Sequence, residues 1–349
     1  MGKNDNLHKA RKNKNDEFYT QLADIEKELV HYVDFFKGKT VYCNCDDARE
    51  SNFFKYFYNK FEELGLKKLI ATGYKENSHG VVLVYEGDKN DNRIVDDEEI
   101  KVTELQGDGD FRSDECIEFL KEADVIVTNP PFSLFREYVK QLMEYNKKFL
   151  IIGNMNAITF KEIFPLIKAN KLWLGLTMNG SNRWFRVPDN YEKSSSMKVE
   201  NGIKYCFVKS VVWFTNLEHN RRKEELILIN KYTPEEYPKY DNYDAINVDK
   251  VSDIPIDYDG IMGVPITFLL KYNSKQFEII TLGVGEDNFT PTKKYGKFRN
   301  PDTGEYCSDK RDFLLYIRDA KGKYLTEEGY RVTKLYARIL IRNKKPQIS

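Results

Sequence analysis

The sequence lacks the features that mark membrane, secreted and metal-binding proteins. No apolar run approaches the roughly 18 residues that a membrane-spanning helix requires, and residues 1–6 contain no hydrophobic signal-peptide region. The five cysteines form no Cys-x-x-Cys pair and no Cys/His cluster at metal-ligand spacing, so neither a disulfide framework nor a metal site is indicated. We therefore expect a soluble globular protein of the cytoplasm that needs no metal.

Neither sign of charge is in excess, because 55 lysine and arginine residues balance 55 aspartate and glutamate residues. Zero net charge argues at first against a polyanionic partner. The charges are nevertheless segregated along the chain, and their distribution matters more than their sum. A basic arm occupies residues 1–15, whereas the segment from Glu86 to Glu104 is acidic.

Strands and helices alternate over the first 150 residues. Strands are predicted at 40–45, 68–72, 125–128 and 148–153, and helices at 24–36, 52–64, 114–122 and 134–145. This alternation predicts an α/β fold with a doubly wound, mostly parallel sheet. Strands at 81–86 and 101–105 flank an acidic turn, and the segments 172–178 and 210–215 are expected to complete the sheet as an antiparallel pair.

The most informative stretch is an apolar strand that stops abruptly at Asn129, Pro130, Pro131 and Phe132. Prolines cannot continue a sheet ladder, so these residues predict a stiff loop at the carboxyl end of a strand, where open α/β sheets bind ligands. The Asn129 side-chain oxygen and the Pro130 carbonyl can both accept hydrogen bonds from one exocyclic amino group, which makes its nitrogen nucleophilic. Phe132 offers a face on which a planar base can stack. The group favours methyl transfer to an amino nitrogen, with an ordinary Pro-Pro turn as the structural alternative.

This tetrapeptide resembles the catalytic motif of amino-group methyltransferases that use S-adenosylmethionine. Together with Phe18-Tyr19-Thr20, Asn44-Cys45-Asp46-Asp47 and Gly109-Asp110-Phe111, it resembles the EcoRI-type family of adenine-specific DNA methyltransferases. The resemblance also takes in residues 211–217 and 263–268, so it spans most of the chain. It implies a Rossmann-like methyltransferase fold and methyl transfer to adenine N6 at a short sequence of double-stranded DNA. A stacked adenine cannot reach such a loop, so base flipping is expected.

The resemblance implies contacts with the cofactor, S-adenosylmethionine, at the strand ends. It places Tyr19 and Thr20 at the methionine end of the cofactor. Asn44, Asp46 and Asp47 would line the loop after the first strand, and the two aspartates could accept hydrogen bonds from the cofactor's ammonium group. Each set has a structural alternative, since Thr20 could cap the next helix and the two aspartates could form a solvated capping turn. The loop also departs from the common pattern, because no glycine occurs between Lys39 and Leu64.

The Gly-Asp-Phe element supplies the remaining cofactor contacts. Asp110 is expected to accept a hydrogen bond from the amino group of the cofactor's adenine, and Phe111 is expected to contact the adenine ring. A solvated Gly-Asp-Gly-Asp turn is the alternative. An acidic residue directly after the second strand often binds the cofactor's ribose, but none is present here, so no ribose contact is assigned.

Three regions follow along the chain: a basic flexible arm at 1–15, a catalytic domain at 16–220 and a target-recognition region at 221–349. In the last region the α/β alternation fades and basic patches appear. One patch is expected to contact DNA phosphates and comprises Lys293, Lys294, Lys297 and Arg299. A second patch comprises Lys334, Arg338, Arg342, Lys344 and Lys345. The alternative is a scaffold extension with ordinary solvated lysines.

Other functions remain open at this stage. The chain could methylate RNA adenine or a protein glutamine, or it could be a catalytically inactive DNA-binding or antirestriction relative. If it methylates DNA, a restriction endonuclease acting on the same site is a possible partner. We favour a monomer.

Overall fold

The computed structural model describes residues 18–45, 47–75, 78–88, 99–189, 191, 196–284, 289–307 and 314–347. The predicted basic arm at 1–15 and Asp46 lie outside these residues. The chain divides into two compact units, the first being Met1–Ala157 with Leu172–His219 and the second Ile158–Lys171 with Asn220–Ser349. The segment Ile158–Lys171, which lies within the range predicted to be catalytic, thus groups with the second unit. The roles assigned to residues 16–220 and 221–349 stay predictions.

In the described part of the chain, the first unit is built on a ten-stranded sheet. Its strands are β1 Thr40–Cys43, β2 Lys68–Gly73, β3 Val81–Tyr85, β4 Lys101–Glu104, β5 Val125–Thr128, β6 Lys148–Asn154, β7 Trp173–Leu174, β8 Ser181–Arg186, β9 Met197–Glu200 and β10 Ile203–Thr215. The central strands β2, β1, β5 and β6 run parallel in that order. Strands β3 and β4 extend the sheet antiparallel on one side, and β10 pairs antiparallel with β6 and β7 on the other. The predicted doubly wound fold class is confirmed, and so is the antiparallel pair at its end.

Helices of the first unit cover the sheet with aromatic and aliphatic side chains. They are α1 Leu22–Leu29, α2 Val33–Phe36, α3 Asn52–Asn59, α4 Phe61–Leu64, α5 Asp114–Glu122 and α6 Phe135–Glu144. Helix α3 begins where the Ser51 side chain accepts a hydrogen bond from the Phe53 amide, and α4 ends at Gly65, whose φ of 61° suits a helix terminus. None of the described helices combines the length and apolarity needed to cross a bilayer.

The order of the parallel strands creates a switch point between β1 and β5. From β1 the chain proceeds to β2 on one side, and it later places β5 on the other side of β1. Connections that leave neighbouring strands in opposite directions open a crevice at their carboxyl ends, where α/β sheets bind ligands. Cys43 ends β1 and Thr128 ends β5, so Asn44 and Asn129 follow at this crevice.

The second unit has little helix and two small sheets among its described residues. Its one described α-helix is α7, Phe164–Lys168. The strands are β11 Ile246–Asn247, β12 Met262–Pro265, β13 Phe277–Leu282, β14 Tyr316–Arg318, β15 Tyr324–Leu325, β16 Arg331–Lys334 and β17 Arg338–Asn343. One sheet has the order β11-β12-β17-β13 and the other β14-β16-β15. The loss of α/β alternation after residue 220 is therefore real.

Candidate active site

Asn129 lies directly after β5, and its side chain is buried with 4% of its surface exposed. Its Nδ2 donates a hydrogen bond of 2.6 Å to the carbonyl oxygen of Phe18, which fixes the orientation of the amide. Its Oδ1 is also buried but accepts no hydrogen bond from any described residue. Buried polar atoms are nearly always bonded in folded proteins. This oxygen is therefore an acceptor that the described chain leaves unused.

The two prolines hold this asparagine between a strand and a helix. Pro130 is buried, and the carbonyl of Pro131 accepts a hydrogen bond of 3.0 Å from the Leu134 amide. That bond closes a 3-10 turn at Phe132–Leu134, from which α6 continues. The Phe132 ring is half-buried and lies 5.5 Å from the Phe18 ring. The loop is thus packed on both sides, unlike an ordinary surface turn.

The segment Phe18–Thr20 lies against this loop, and Tyr19 forms an isolated β-bridge with Arg186. The Tyr19 amide donates to the Arg186 carbonyl at 2.9 Å, and the Asn52 side chain donates to the Thr20 carbonyl at 2.7 Å. Helix α1 begins only at Leu22, its N-cap is Gln21, and no side chain caps it. The alternative that Thr20 caps the helix is therefore wrong. Thr20 is 1% exposed, and its hydroxyl has no partner among the described residues.

Asn44 forms the floor of the crevice at the end of β1. Its carbonyl accepts a hydrogen bond from the Thr128 hydroxyl, and its side-chain oxygen accepts one from the Tyr138 hydroxyl. Burial raises the pKa of Tyr138 well above its usual range, so this hydroxyl remains a neutral donor. Cys45 follows with a φ of 74°, in the left-handed region that favours glycine. The chain thus makes a glycine-like turn after β1 without a glycine.

Asp47 is engaged in a local turn. Its exposed carboxylate accepts hydrogen bonds from the amides of Arg49 at 2.9 Å and Glu50 at 3.3 Å. Its carbonyl accepts one from the Ser51 amide at 2.8 Å, just before α3. For Asp47 the capping-turn alternative therefore describes the contacts that are present. A contact with the cofactor's ammonium group stays a prediction, as does any role for Asp46.

The loop that carries Asp110 approaches the end of β2 closely. Gly109 has a φ of 83°, and a Cβ at this position would lie 2.4 Å from the Gly73 carbonyl oxygen. Only glycine fits such an approach. This close approach brings residues 108–111 against the carboxyl end of β2. Asn44 and Asn129 lie at the same edge of the sheet.

Asp110 is paired with a neighbour in this loop. Its carboxylate accepts hydrogen bonds from Arg112 Nε at 2.9 Å and Nη2 at 2.6 Å, and from the Arg112 amide at 2.8 Å. Burial alone would raise the pKa of Asp110, but these bonds hold it below its ordinary value. Asp110 is therefore an ionised carboxylate whose acceptor capacity is partly used.

Tyr138 connects the two walls of the crevice, and the sequence reasoning missed it. Besides its bond to Asn44, its ring lies 5.0 Å from the Phe111 ring at an angle of 80°. Phe111 itself is 7% exposed. The available signal was a tyrosine on the apolar face of α6, in the first turn of that helix. A hydroxyl on a buried helix face needs a polar partner.

The first basic patch of the second unit is not uniform. Lys293 donates to the Tyr330 hydroxyl and to Glu328 at 2.9 Å, and its ammonium lies 3.5 Å from Asp241. Lys294 is exposed. Lys297 and Arg299 flank the ring of Tyr306, with Nζ and Cζ at 4.9 Å and 4.8 Å from its centre. Lys293 thus belongs to an internal ion network, whereas the other three basic residues face outward.

The second predicted patch is divided among internal ion pairs and one backbone contact. Arg338 and Arg342 lie in β17 and pair with Asp249 at 3.6 Å and Glu278 at 3.9 Å. Lys344 donates to the Ser274 carbonyl at 2.9 Å, and Lys345 pairs with Glu225 at 3.0 Å. The pairs of Arg342 and Lys345 are exposed surface pairs and therefore weak, so the second patch stays a prediction. Across the part of the chain that the structure describes, no cluster of three or more His, Cys, Asp or Glu residues is arranged to hold a metal ion.

The sequence model of the family described as "Adenine-specific methyltransferase EcoRI" matches residues 6–344. The chain belongs to this family. It is 51% identical over 307 residues to the type II methyltransferase M.EcoRI of Escherichia coli, covering 84% of this chain and 94% of that protein. The type II methyltransferases M.MpnI of Mycoplasma pneumoniae and M.MgeORF184P of Mycoplasma genitalium are 43% and 41% identical over 280 residues. Each alignment covers 78% of this chain, with 84% and 85% of those proteins.

Membership of this family makes the protein a methyltransferase and confirms the predicted resemblance. The family match runs through both compact units. The second unit is therefore part of what the family shares.

Proposed function

We propose that the protein transfers a methyl group from S-adenosylmethionine to the N6 amino group of adenine at a specific sequence of double-stranded DNA. The observation that supports this most directly is the buried Oδ1 of Asn129, which no described residue bonds. It follows β5 at the switch point of the sheet, where a ligand is expected. An exocyclic amino group is the donor that such an acceptor suits.

The chain's own residues account for activation of the amine. The bond from Nδ2 to Phe18 fixes the amide of Asn129, so its oxygen would be left to accept from the substrate. Hydrogen bonds from the amino group to this oxygen and to the Pro130 carbonyl draw the nitrogen lone pair out of conjugation with the purine ring. S-adenosylmethionine, when bound, would supply the methyl group from its sulfonium: the N–C bond would form as the C–S bond breaks, and the proton lost by the nitrogen would pass to solvent water. The reaction yields S-adenosylhomocysteine.

The crevice fits the cofactor in its chemistry. The unbonded hydroxyl of Thr20 is a polar group suited to the methionine end, next to Tyr19. Asn44 lies at the end of β1 and Asp47 in the turn before α3, and together with Asp46 they would bind the ammonium group. Asp110 would accept a hydrogen bond from the amino group of the cofactor's adenine, and the Phe111 ring would contact that base.

Burial of Asn129 requires the target adenine to leave the duplex. A stacked base cannot reach a side chain that is 4% exposed, so the base must flip out, and Phe132 would then stack on it. Residues 16–220 would carry catalysis and residues 221–349 target recognition. Within the latter, Lys294, Lys297 and Arg299 are the phosphate contacts that the geometry favours. A monomer would act at a site shared with a restriction endonuclease.

The experiment compares the parent chain with Asn129→Ala in a bacterial host that lacks N6-methyladenine. Sequencing the host DNA with a method that detects this base should recover one methylated motif with the parent and none with the variant. Calorimetry should give both proteins the same affinity for S-adenosylmethionine within a few-fold. Methylated RNA or protein in place of DNA, or a parent that binds no cofactor, would refute the proposal.

A further inference from the structure

Strands β8, β9 and β10 form a ribbon whose register sorts its side chains onto two faces. Trp184 pairs with Phe207, and Arg186 pairs with Tyr205. Lys198 of β9 pairs with the same Tyr205 from the other side. Because side chains alternate across a strand, these five residues share one face. We call this the outer face of the ribbon.

The opposite face supports the candidate catalytic loop. Phe185 pairs with Cys206 on that face and is 1% exposed. Its ring lies 5.7 Å from Phe18, the residue whose carbonyl binds Asn129. The outer face is therefore the reverse side of a strand that packs against the segment holding the catalytic asparagine.

The ribbon also projects from the edge of the sheet at which the parallel strands end. Val211 of β10 pairs with Asn154, the last residue of β6, so the part of β10 before Val211 extends beyond the carboxyl end of β6. Strands β1, β5 and β6 are parallel, and their carboxyl ends lie at one edge. The ribbon thus rises from the edge that carries Asn44 and Asn129.

The outer face combines one exposed and two half-buried aromatic rings with cations. The Trp184 side chain is 38% exposed, and its ring lies 5.0 Å from Phe207. The Lys198 ammonium lies 5.0 Å from the centre of Trp184 and 5.3 Å from that of Tyr205. Arg186 is 46% exposed, and its pairing with exposed Glu50 at 3.4 Å is of the weak surface kind.

Charge on the ribbon is strongly biased, although the whole chain is neutral. Its three strands contain one acidic residue, Glu200, against five basic residues: Arg183, Arg186, Lys198, Lys204 and Lys209. Cations arranged around an exposed aromatic ring match the phosphates and base faces of nucleic acid. Neither an acidic nor a purely apolar partner would complement this composition.

We infer that the outer face of the ribbon contacts DNA from the catalytic unit itself, in addition to the basic patch of the second unit. This inference rests on the proposed function. A duplex that delivers a flipped adenine to Asn129 must lie along the edge from which the ribbon rises. Lys198 and Arg186 then bind phosphates, and Trp184 packs against a base or sugar next to the flipped nucleotide.

The test measures binding of the full-length chain to a fluorescent pool of random-sequence duplexes by anisotropy at several salt concentrations. Trp184→Ala should weaken binding by about 5- to 150-fold, the range for removal of one aromatic side chain that stacks on a base. Lys198→Gln should reduce the slope of log K against log salt by about 0.9, the value for one phosphate contact. Lys204→Gln is the matched control, because it removes the same charge from the opposite face of the same ribbon.

The outcomes separate cleanly. Weaker binding by Trp184→Ala and a lower slope for Lys198→Gln, with Lys204→Gln unchanged, support the outer face as a DNA contact. Parent-like binding by both outer-face variants overturns it and indicates a face covered by protein. Equal losses for Lys198→Gln and Lys204→Gln also overturn it, since the effect would then be general charge. Calorimetry with S-adenosylmethionine verifies folding, and a parent that binds this pool without methylating DNA would refute the proposed function alone.

Discussion

Two parts of the candidate site differ in how their hydrogen-bonding atoms are used. At the Pro-Pro loop, the Oδ1 of Asn129 is buried and receives no hydrogen bond from the described chain. At the turns predicted to contact the cofactor, the carboxylates of Asp47 and Asp110 already accept hydrogen bonds from residues two or three positions ahead. The first arrangement is ready for a substrate. The second must share or exchange its bonds when a ligand arrives.

The difference follows from local chain geometry. A residue that follows a buried strand and precedes two prolines has few backbone amides near it, since proline has none. An aspartate in a turn lies beside amides two and three residues ahead, and its short side chain readily accepts from them. A buried side-chain oxygen that accepts no hydrogen bond is therefore a better indication of a substrate-binding residue than the charge of the side chain.

The largest effect is expected at Asn129. Asn129→Ala removes the unused acceptor, so methyl transfer should fall by at least about 10²- to 10³-fold, as when a preorganised hydrogen bond to a reacting group is removed. Asn129→Asp should keep a small activity, because a carboxylate still accepts hydrogen bonds. Transfer of a labelled methyl group to DNA measures both variants. Parent-like turnover by Asn129→Ala would remove the basis for the comparison.

The next largest effect tests whether Asp110 does more than hold Arg112. Asp110→Ala should weaken S-adenosylmethionine binding by about 1–3 kcal/mol, the penalty for leaving a buried donor unpaired. Arg112→Gln breaks the same ion pair but keeps the carboxylate, so calorimetry should show a smaller loss. Equal losses in the two variants would mean that Asp110 only positions its loop.

A smaller effect is expected at Tyr138, which joins Asn44 to Phe111. Tyr138→Phe keeps the ring but removes the hydrogen bond to Asn44, so KM for S-adenosylmethionine should rise by about two- to tenfold, the worth of one hydrogen bond. The value of kcat should change little. Tyr32→Phe is the control, because it removes a buried 3.0 Å bond to Glu28 that lies outside the crevice. A similar rise in KM for that variant would show a general loss of stability instead of a cofactor effect.

The sequence was informative where a motif is tied to a regular element. The strand before Asn129, the Pro-Pro loop after it and the mostly parallel sheet could be predicted from hydrophobic runs, prolines and the alternation of strands with helices, whose effects are local. Partners far away in sequence could not be foreseen. The bond from Tyr138 to Asn44 spans 94 residues, and that from Asn129 to Phe18 spans 111. For the same reason the ion network of Lys293 could not be predicted, because its acidic partner Asp241 lies 52 positions earlier in the sequence.

The smallest effects extend the comparison to the basic patch of the second unit. Asp241 is 5% exposed at its side chain and also pairs with Arg318 at 2.8 Å, so Lys293 neutralises a nearly buried carboxylate. Burial would lower the pKa of Lys293, but its bonds to Tyr330 and Glu328 and the charge of Asp241 raise it above its ordinary value, so the lysine stays charged. Lys293→Gln should therefore lower the free energy of unfolding by about 1–3 kcal/mol and leave the salt dependence of DNA binding unchanged.

Lys294→Gln and Lys297→Gln should do the reverse. Both side chains are exposed, so thermal unfolding should change little, whereas the slope of log K against log salt should fall by about 0.9 for each lysine that no longer neutralises a phosphate. The methylated motif should be the same in all three variants, because phosphate contacts carry no sequence information. A lower salt slope for Lys293→Gln, with parent-like slopes for the other two, would reverse this assignment. It would mean that the ion network around Asp241 opens to bind DNA. Basic side chains that are already paired within the chain would then contact phosphates as readily as exposed ones.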